Sequence, residues 1–355
     1  MSGRLGALRD QAHLALGRLD MVSTLVADPQ LFLYHHVRKE AVLSSRIEGT
    51  QSSLSDLMLF EMEEAPGVPI EDVTEVSNYV AAMEHGLGRL REGFPLSNRL
   101  IREIHGVLMR SGRGSTKTPG EFRRTQNWIG GSRPSRALFV PPPPEKVADC
   151  MGELESFLNG TSDDSSPVFT AGLAHVQFET IHPFLDGNGR VGRLLIALIL
   201  VDSGILRQPL LYPSLYFKQH RGDYYERLNQ VRVNGEWELW MEFFLLALTE
   251  TANDAVDRVQ KMRALVEVDT LRINGLGRPG LTAAMVHRAL QARPLATAAY
   301  LARATRLSVP TVSAALLRLR DLGVVEEITG RKKGRIYNYR SFMDLLQGDM
   351  EEPPG

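Results

Sequence analysis

The passage His182-Pro183-Phe184-Leu185-Asp186-Gly187-Asn188-Gly189-Arg190-Val191-Gly192-Arg193 runs directly into Leu194-Leu195-Ile196-Ala197-Leu198-Ile199-Leu200-Val201, and no other stretch restricts the fold as strongly. Eight residues apolar on every side predict a helix buried all round and ended by Gly204. The glycine-rich passage then stands at a helix start, where unpaired N–H groups favour anions and glycine lets phosphate oxygens come close. Arg190 and Arg193 are three apart, so they share a helix face from which guanidiniums can fork onto phosphate. Asp186 suits Mg²⁺, which prefers a carboxylate together with phosphate and water. His182 ionises near neutral pH and sits just ahead of the loop, placed to take a proton from an attacking hydroxyl. Phe184 is expected to point inward as an anchor. A lone Asp-Gly-Asn-Gly reads as a tight turn. Together with His182, Arg190 and Arg193 it reads as a site for nucleotidyl transfer. No Gly-Lys-Ser/Thr follows the glycines, so this is not a Walker loop.

The remainder of the chain supports a mainly α protein. Its 355 residues, 43% hydrophobic, suffice for two or three domains. A formal net charge of -1 confines any nucleic-acid contact to a local patch. The single cysteine, Cys150, excludes an internal disulfide and a multi-cysteine zinc cage, and points to a cytoplasmic home. The N-terminus lacks a signal-peptide core, and Leu194–Val201 is too short to span a bilayer, so no membrane association is expected. Helical periods run to about residue 92, with Leu31–Ile47 and Val73–Leu90 separated by a loop at Pro66–Pro69. Asn98–Met109 is a further amphipathic helix. Residues 111–145 are broken by glycine and proline, with Trp128–Gly131 and Ala137–Val140 as two extended pieces around a turn. The helical pattern resumes at Glu145 and lasts to about Val266. Ile273–Gly280 reads as a linker to a separate small domain.

The pattern His-x-Phe-x-Asp/Glu-Gly-Asn-Gly-Arg-x-x-Arg is the signature of Fic-domain enzymes, and this sequence resembles it at every position. The resemblance implies a Fic-type helical core with a small β-hairpin flap. It also implies Mg²⁺, ATP as co-substrate, and transfer of AMP to a Ser, Thr or Tyr hydroxyl of a target protein or of the chain itself. Carried over by position, His182 is the general base and Asp186 binds Mg²⁺. Asn188 and Gly189 form the anion hole with Gly187 beside them, and Arg190 and Arg193 hold the triphosphate. Doc-type kinases of the superfamily are similar but carry a lysine where Gly189 stands and bind ATP reversed, so glycine favours AMP transfer. Ser44-Ser45-Arg46-Ile47-Glu48-Gly49 resembles the family's inhibitory motif. Ser44 and Glu48 share a helix face, Gly49 ends the helix, and Glu48 is expected to pair with Arg193 and displace the γ-phosphate. In some relatives the same glutamate assists AMP removal, so de-AMPylation stays open. Ser132–Pro142 resembles the flap on which a target strand docks, and Gly120–Arg123 and Gln126–Gly130 also look like Fic segments. Tyr224 and Tyr225 resemble the adenine shelter, although such rings are equally often plain core. His175 reads as a packing residue, and Glu179 as a brace for the His182 turn.

Downstream, Leu295–Ala304 and Ser308–Leu319 read as two helices joined through Arg306-Leu307, followed by strand-like Val324–Ile328 and Arg335–Tyr339 around Gly330-Arg331-Lys332-Lys333-Gly334. This resembles a C-terminal winged helix-turn-helix, which binds duplex DNA or serves as a protein-protein or homodimer module. The expected organisation is an N-terminal helical region with the inhibitory helix (1–92), a Fic core (93–270) and a winged helix-turn-helix (281–345). The principal reading is an autoinhibited protein adenylyltransferase. The alternative is a nucleotide-sensing DNA-binding regulator with a silent core. Another nucleotide such as UTP, or phosphocholine, stays open as donor.

Overall fold

The structure, a computed structural model, describes residues 3–25, 29–62, 64–131, 133–160 and 166–350; Ser132, first residue of the expected flap, lies outside them. Helices α1 (Gly3–Leu25), α2 (Pro29–Ile47), α3 (Leu54–Phe60), α4 (Ile70–Arg91) and α5 (Asn98–Leu108) come first. Then follow α6 (Pro144–Asn159), α7 (Pro167–Ile181), α8 (Asn188–Asp202), α9 (Ser214–Gln219), α10 (Arg221–Asn234) and α11 (Trp237–Asn274). The chain continues through α12 (Arg278–Ala292), β1 (Leu295–Thr297), α13 (Ala298–Thr305), α14 (Val309–Asp321), β2 (Glu326–Glu327), β3 (Ile336–Asn338) and α15 (Arg340–Gln347). The chain divides into two compact units. One gathers the chain up to Thr24, His36–Ser52 and Val68–Ala255; the other gathers Leu25–His35, Ser53–Gly67 and the chain from Val256 onward.

In the first unit α8 is the central helix. Val191 and Leu194 through Leu200 are all buried, and removing each large apolar side chain from water stabilises the fold by about 1.5–3 kcal/mol. Helices α4, α5 and α7 pack on it. Gly86 of α4 permits that approach, since a Cβ there would stand 3.0 Å from Leu198 and 3.1 Å from Ile104. The helix stops at Asp202, and Gly204 turns the chain at φ +75° with its N–H on Val201 O. Residues 111–145 give less strand than expected. One bridge, Ile129↔Phe139, closes the hairpin, with a 3-10 turn at Pro134–Arg136. Gly130 and Gly131, both at φ +71°, turn the chain straight after Ile129. A Cβ on Gly131 would meet Arg136 O at 2.3 Å.

The second unit departs from expectation in two places and holds one element not singled out. Helix α3, inside the stretch read as helical, is short and follows the polar run Gln51-Ser52-Ser53, where a capping box nucleates it. Ser53 Oγ accepts from Asp56 N at 3.1 Å, and the Asp56 carboxylate accepts from Ser53 N at 2.9 Å. The expected linker is only a tight turn, because α11 continues to Asn274 and α12 begins at Arg278. Leu295–Thr297 is a strand, not the first turn of a helix, and Thr297 Oγ1 caps α13 by accepting from Tyr300 N at 3.2 Å. The sheet order is β1-β3-β2, antiparallel throughout, with Ala296↔Tyr337 and Glu327↔Tyr337 in register. Leu301, Val312, Leu316, Leu319, Ile336 and Phe342 lie in its core. Among the described residues no helix is long and apolar enough to cross a membrane.

Candidate functional site

The loop between α7 and α8 is held from all sides. His182 takes a left-handed conformation at φ +49°, costly for a residue with a Cβ. Its neighbours over-determine it. Arg123 Nε donates to His182 O at 3.0 Å and Arg123 N to Pro183 O at 2.8 Å. Asn127 Nδ2 donates to Phe184 O at 3.0 Å. The buried Asn188 amide closes the loop on itself, accepting from Phe184 N and donating to Phe184 O, both at 2.8 Å. Phe184 points inward as expected and stacks on His105 with centroids 3.7 Å apart. His105 Nδ1 accepts from Gly120 N at 2.8 Å, which leaves the proton on Nε2, facing Asp186 O at 3.0 Å. Burial pushes the His105 imidazole down to about 4, so it stays neutral.

Gly187 precedes α8 at φ +77°, and a Cβ there would meet Met109 Sδ at 2.9 Å. Its N–H bonds Asp186 Oδ1 at 2.6 Å. The Asp186 side chain remains 40% exposed. The two arginines of α8 are engaged by different carboxylates. Arg190 Nη1 donates to the buried Glu75 at 3.1 Å, and Glu75 also holds Arg113 Nε at 3.1 Å. Arg193, fully buried, donates from Nε to Ser44 Oγ at 2.9 Å, and from Nη2 to Ser44 O at 3.0 Å and Glu48 Oε1 at 2.6 Å. Burial works against the charge of Glu48, but Arg193 outweighs it and holds the carboxyl below its ordinary range. Gly49, at φ +98°, follows the end of α2. Gly189 lies under the Glu48 carboxylate, and a Cβ there would stand 2.2 Å from Oε1.

Among the described residues His182 Nδ1 is buried without a well-formed hydrogen bond, 3.9 Å from Glu179 Oε2. Burial, then the charge of Arg232, pushes its imidazole down to about 4, so at neutral pH it is a proton acceptor. Burial pushes the Glu179 carboxyl up to about 7. The tyrosine pair is split. Tyr224 is 1% exposed, stacks on Phe217 and bonds His175 Nε2 at 2.9 Å, so it belongs to the core. Tyr225 is 41% exposed, and its ring takes the Arg221 guanidinium at 5.6 Å. Arg221 also ties the end of α2, donating to Ile47 O at 3.1 Å.

The fit to Mg²⁺ rests on the donor set. Among the described residues no three acidic, histidine or cysteine side chains gather as a metal cage. Mg²⁺ is commonly held by one or two carboxylates completed by phosphates and waters, and the half-exposed Asp186 beside the loop amides suits that mode. Sequence reasoning missed His105 and Glu75, yet each carries a faint signal. His105 sits four after Ile101 and three before Leu108, inside the apolar stripe of α5. Glu75 interrupts the apolar run of α4 between Val73 and Val76. A polar group in such a stripe must find an internal partner.

The profile for the Fic/DOC family N-terminal region matches residues 7–88, and that for the Fic/DOC family matches residues 95–200. Protein adenylyltransferase Fic of Drosophila grimshawi is 33% identical over 197 residues, 55% of this chain and 36% of that protein. The protein of the same name from Culex quinquefasciatus is 33% identical over 215 residues, 59% of this chain and 38% of that protein. The chain thus spans little more than a third of the length of these curated relatives. A Fic family protein from Desulfovibrio desulfuricans superposes with TM-score 0.63 at 22% identity, covering 95% of this chain and 96% of its own. A Fic domain containing signaling protein from Bacteroides thetaiotaomicron gives 0.56 at 20%, covering 70% and 97%. Both share the fold.

Proposed function

The chain belongs to the Fic/DOC family, and from that premise we propose that it is a protein adenylyltransferase that holds itself inactive. ATP lies along the N-terminus of α8, its phosphates against the amides of Gly187, Asn188 and Gly189 and against Arg190 and Arg193. The target hydroxyl gives its proton to His182 as its oxygen bonds to the α-phosphorus. The bond from the α-phosphorus to the bridging oxygen breaks, and pyrophosphate leaves. Asp186 would hold Mg²⁺ beside the phosphates, and the ion would supply charge neutralisation of the triphosphate. Tyr225, the exposed ring, is the better placed of the two tyrosines to meet adenine. Residues 133–142 present the target, with Trp128, Leu138 and Val140 exposed on that hairpin.

The observation that carries this reading is the Glu48–Arg193 ion pair at 2.6 Å, set above Gly189 and beside a neutral His182. A carboxylate in that place competes with a phosphate oxygen for the same guanidinium. Removing that competitor should raise activity on the order of tenfold or more, about 1.4 kcal/mol of relieved competition. Incubation with ATP labelled at the α-phosphate and Mg²⁺ tests it. Glu48→Gly should raise labelling of self or lysate proteins by about tenfold or more, and Glu48→Gly with His182→Ala should abolish it. Labelling that Glu48→Gly leaves unchanged, or that survives His182→Ala, sinks the proposal.

A second reading, regulation through duplex DNA, applies to the module from Arg278 onward. Arg303, Arg306, Lys332 and Lys333 are exposed, and none of the four has an ion-pair partner among the described residues. We take this module as a winged helix-turn-helix whose free cations meet phosphates. Lys332→Ala with Lys333→Ala should weaken a salt-dependent gel shift of duplex DNA. A wild-type chain that shifts no DNA at low salt removes this reading.

A further inference from the structure

Arg232 of α10 has no part in the scheme above, yet it touches both the hairpin and the turn that presents His182. Its Nη2 donates to Glu179 O at 3.0 Å, and its Nε lies 3.4 Å from Thr180 Oγ1. Both groups belong to the last turn of α7, where carbonyls lack intrahelical partners and a cation is favoured. The same guanidinium covers the Phe139 ring, 4.5 Å from its centroid. Phe139 is the residue bridged to Ile129, while its neighbours Leu138 and Val140 are 80% and 46% exposed. Alternation along an extended strand accounts for this: the ring goes under and the flanking side chains go out. One side chain therefore grips the underside of the hairpin and the turn just before His182.

We propose that Arg232 is a positioning residue that couples the target-docking hairpin to His182, so that docked hydroxyl and base keep one spacing. The inference rests on the adenylyltransferase reading. The coupling is electrostatic as well as steric. The charged groups acting on His182 are Arg232 of α10, Glu48 beyond α2 and Arg123 of the loop, and the Glu179 backbone of α7 adds a hydrogen-bonding influence. Of these charges Arg232 is the strongest, and it disfavours the imidazolium. Removing that charge raises the pH below which the base is lost.

The experiment uses the full-length Glu48→Gly protein as parent, with Arg232→Met and Arg232→Lys added singly. Arg232→Met should lower kcat about tenfold or more while KM for ATP stays within about twofold, since misplacement by an ångström costs rate and not nucleotide affinity. The acid limb of its pH–rate profile should move upward by roughly half a unit or more. Arg232→Lys keeps the charge but not the planar fork, so the acid limb should stay while kcat falls about fivefold. Amide exchange at residues 129–140 should quicken in Arg232→Met. A loss of rate with an unmoved acid limb would reduce Arg232 to a packing residue and overturn the proposal. Parent-like rate in either variant overturns it as well, and if Arg232→Met does not fold, Arg232→Lys decides alone. If the Glu48→Gly parent itself transfers no AMP, the adenylyltransferase reading falls first. Hairpin exchange then decides the coupling, and unchanged exchange rejects it.

Discussion

Glu48 and Arg193 are 145 positions apart, and they meet at 2.6 Å. The pair was legible through resemblance: Ser44–Gly49 and His182–Arg193 match two Fic motifs whose glutamate and second arginine are expected to pair, whereas spacing alone puts only Ser44 and Glu48 on one helix face. What spacing does not reveal is which neighbour a helix chooses to bury. Tyr224 and Tyr225 are adjacent and chemically alike, and only the packing of α10 on α7 sends the first into the core. His105 and Arg232 stayed hidden for the same reason, since each acts through a backbone carbonyl far away in sequence. The pair carries a pH signature. The folded-state pKa of Glu48 is lowered from 4.5, so its contribution to stability is complete above that value and is lost as pH falls through the folded one. The stability gap between wild type and Glu48→Gln, followed by chemical denaturation, should hold constant from pH 7 to about 5 and shrink below 4.5. A gap that persists undiminished to pH 3 contradicts the pairing.

Among the elements, long amphipathic helices were read well. The expected Leu31–Ile47, Val73–Leu90 and Asn98–Met109 correspond to α2, α4 and α5 within three residues at every end. Their apolar periods are long enough to outweigh local noise. Short elements were not. Helix α3 has seven residues, less than two turns, and owes its existence to the Ser53–Asp56 capping box. Ser53→Ala should cost the second unit about 1 kcal/mol, with its unfolding midpoint in urea lowered accordingly. No change would mean that packing of Leu54 and Met58 alone holds the helix. The hairpin was foreseen as two extended pieces, and among the described residues one bridge joins them. β1 was misread as helix because its three residues pair with β3, which lies some forty residues downstream.

At the scale of the molecule, segment boundaries along the chain do not coincide with its compact units. Leu25–His35 and Ser53–Gly67 cluster with the chain beyond Val256, a grouping decided by burial in space and invisible to composition. Ligand linkage offers a whole-molecule measurement. A ligand at a hundred times its dissociation constant stabilises the folded state by about 2.7 kcal/mol. Mg²⁺-ATP should therefore raise the melting temperature of Glu48→Gly more than that of wild type at equal concentration, because no carboxylate then competes for Arg193. Equal rises would show that Glu48 does not compete with nucleotide. The want of a side chain at residue 189 reaches further still. A first carbon there would stand 2.2 Å from Glu48 Oε1 and 3.0 Å from Arg193 Nη1, so a side chain at 189 has to displace the carboxylate that Arg193 holds. On the proposed reading, a side chain gained at 189 would therefore loosen the restraint and crowd the phosphate site in one step.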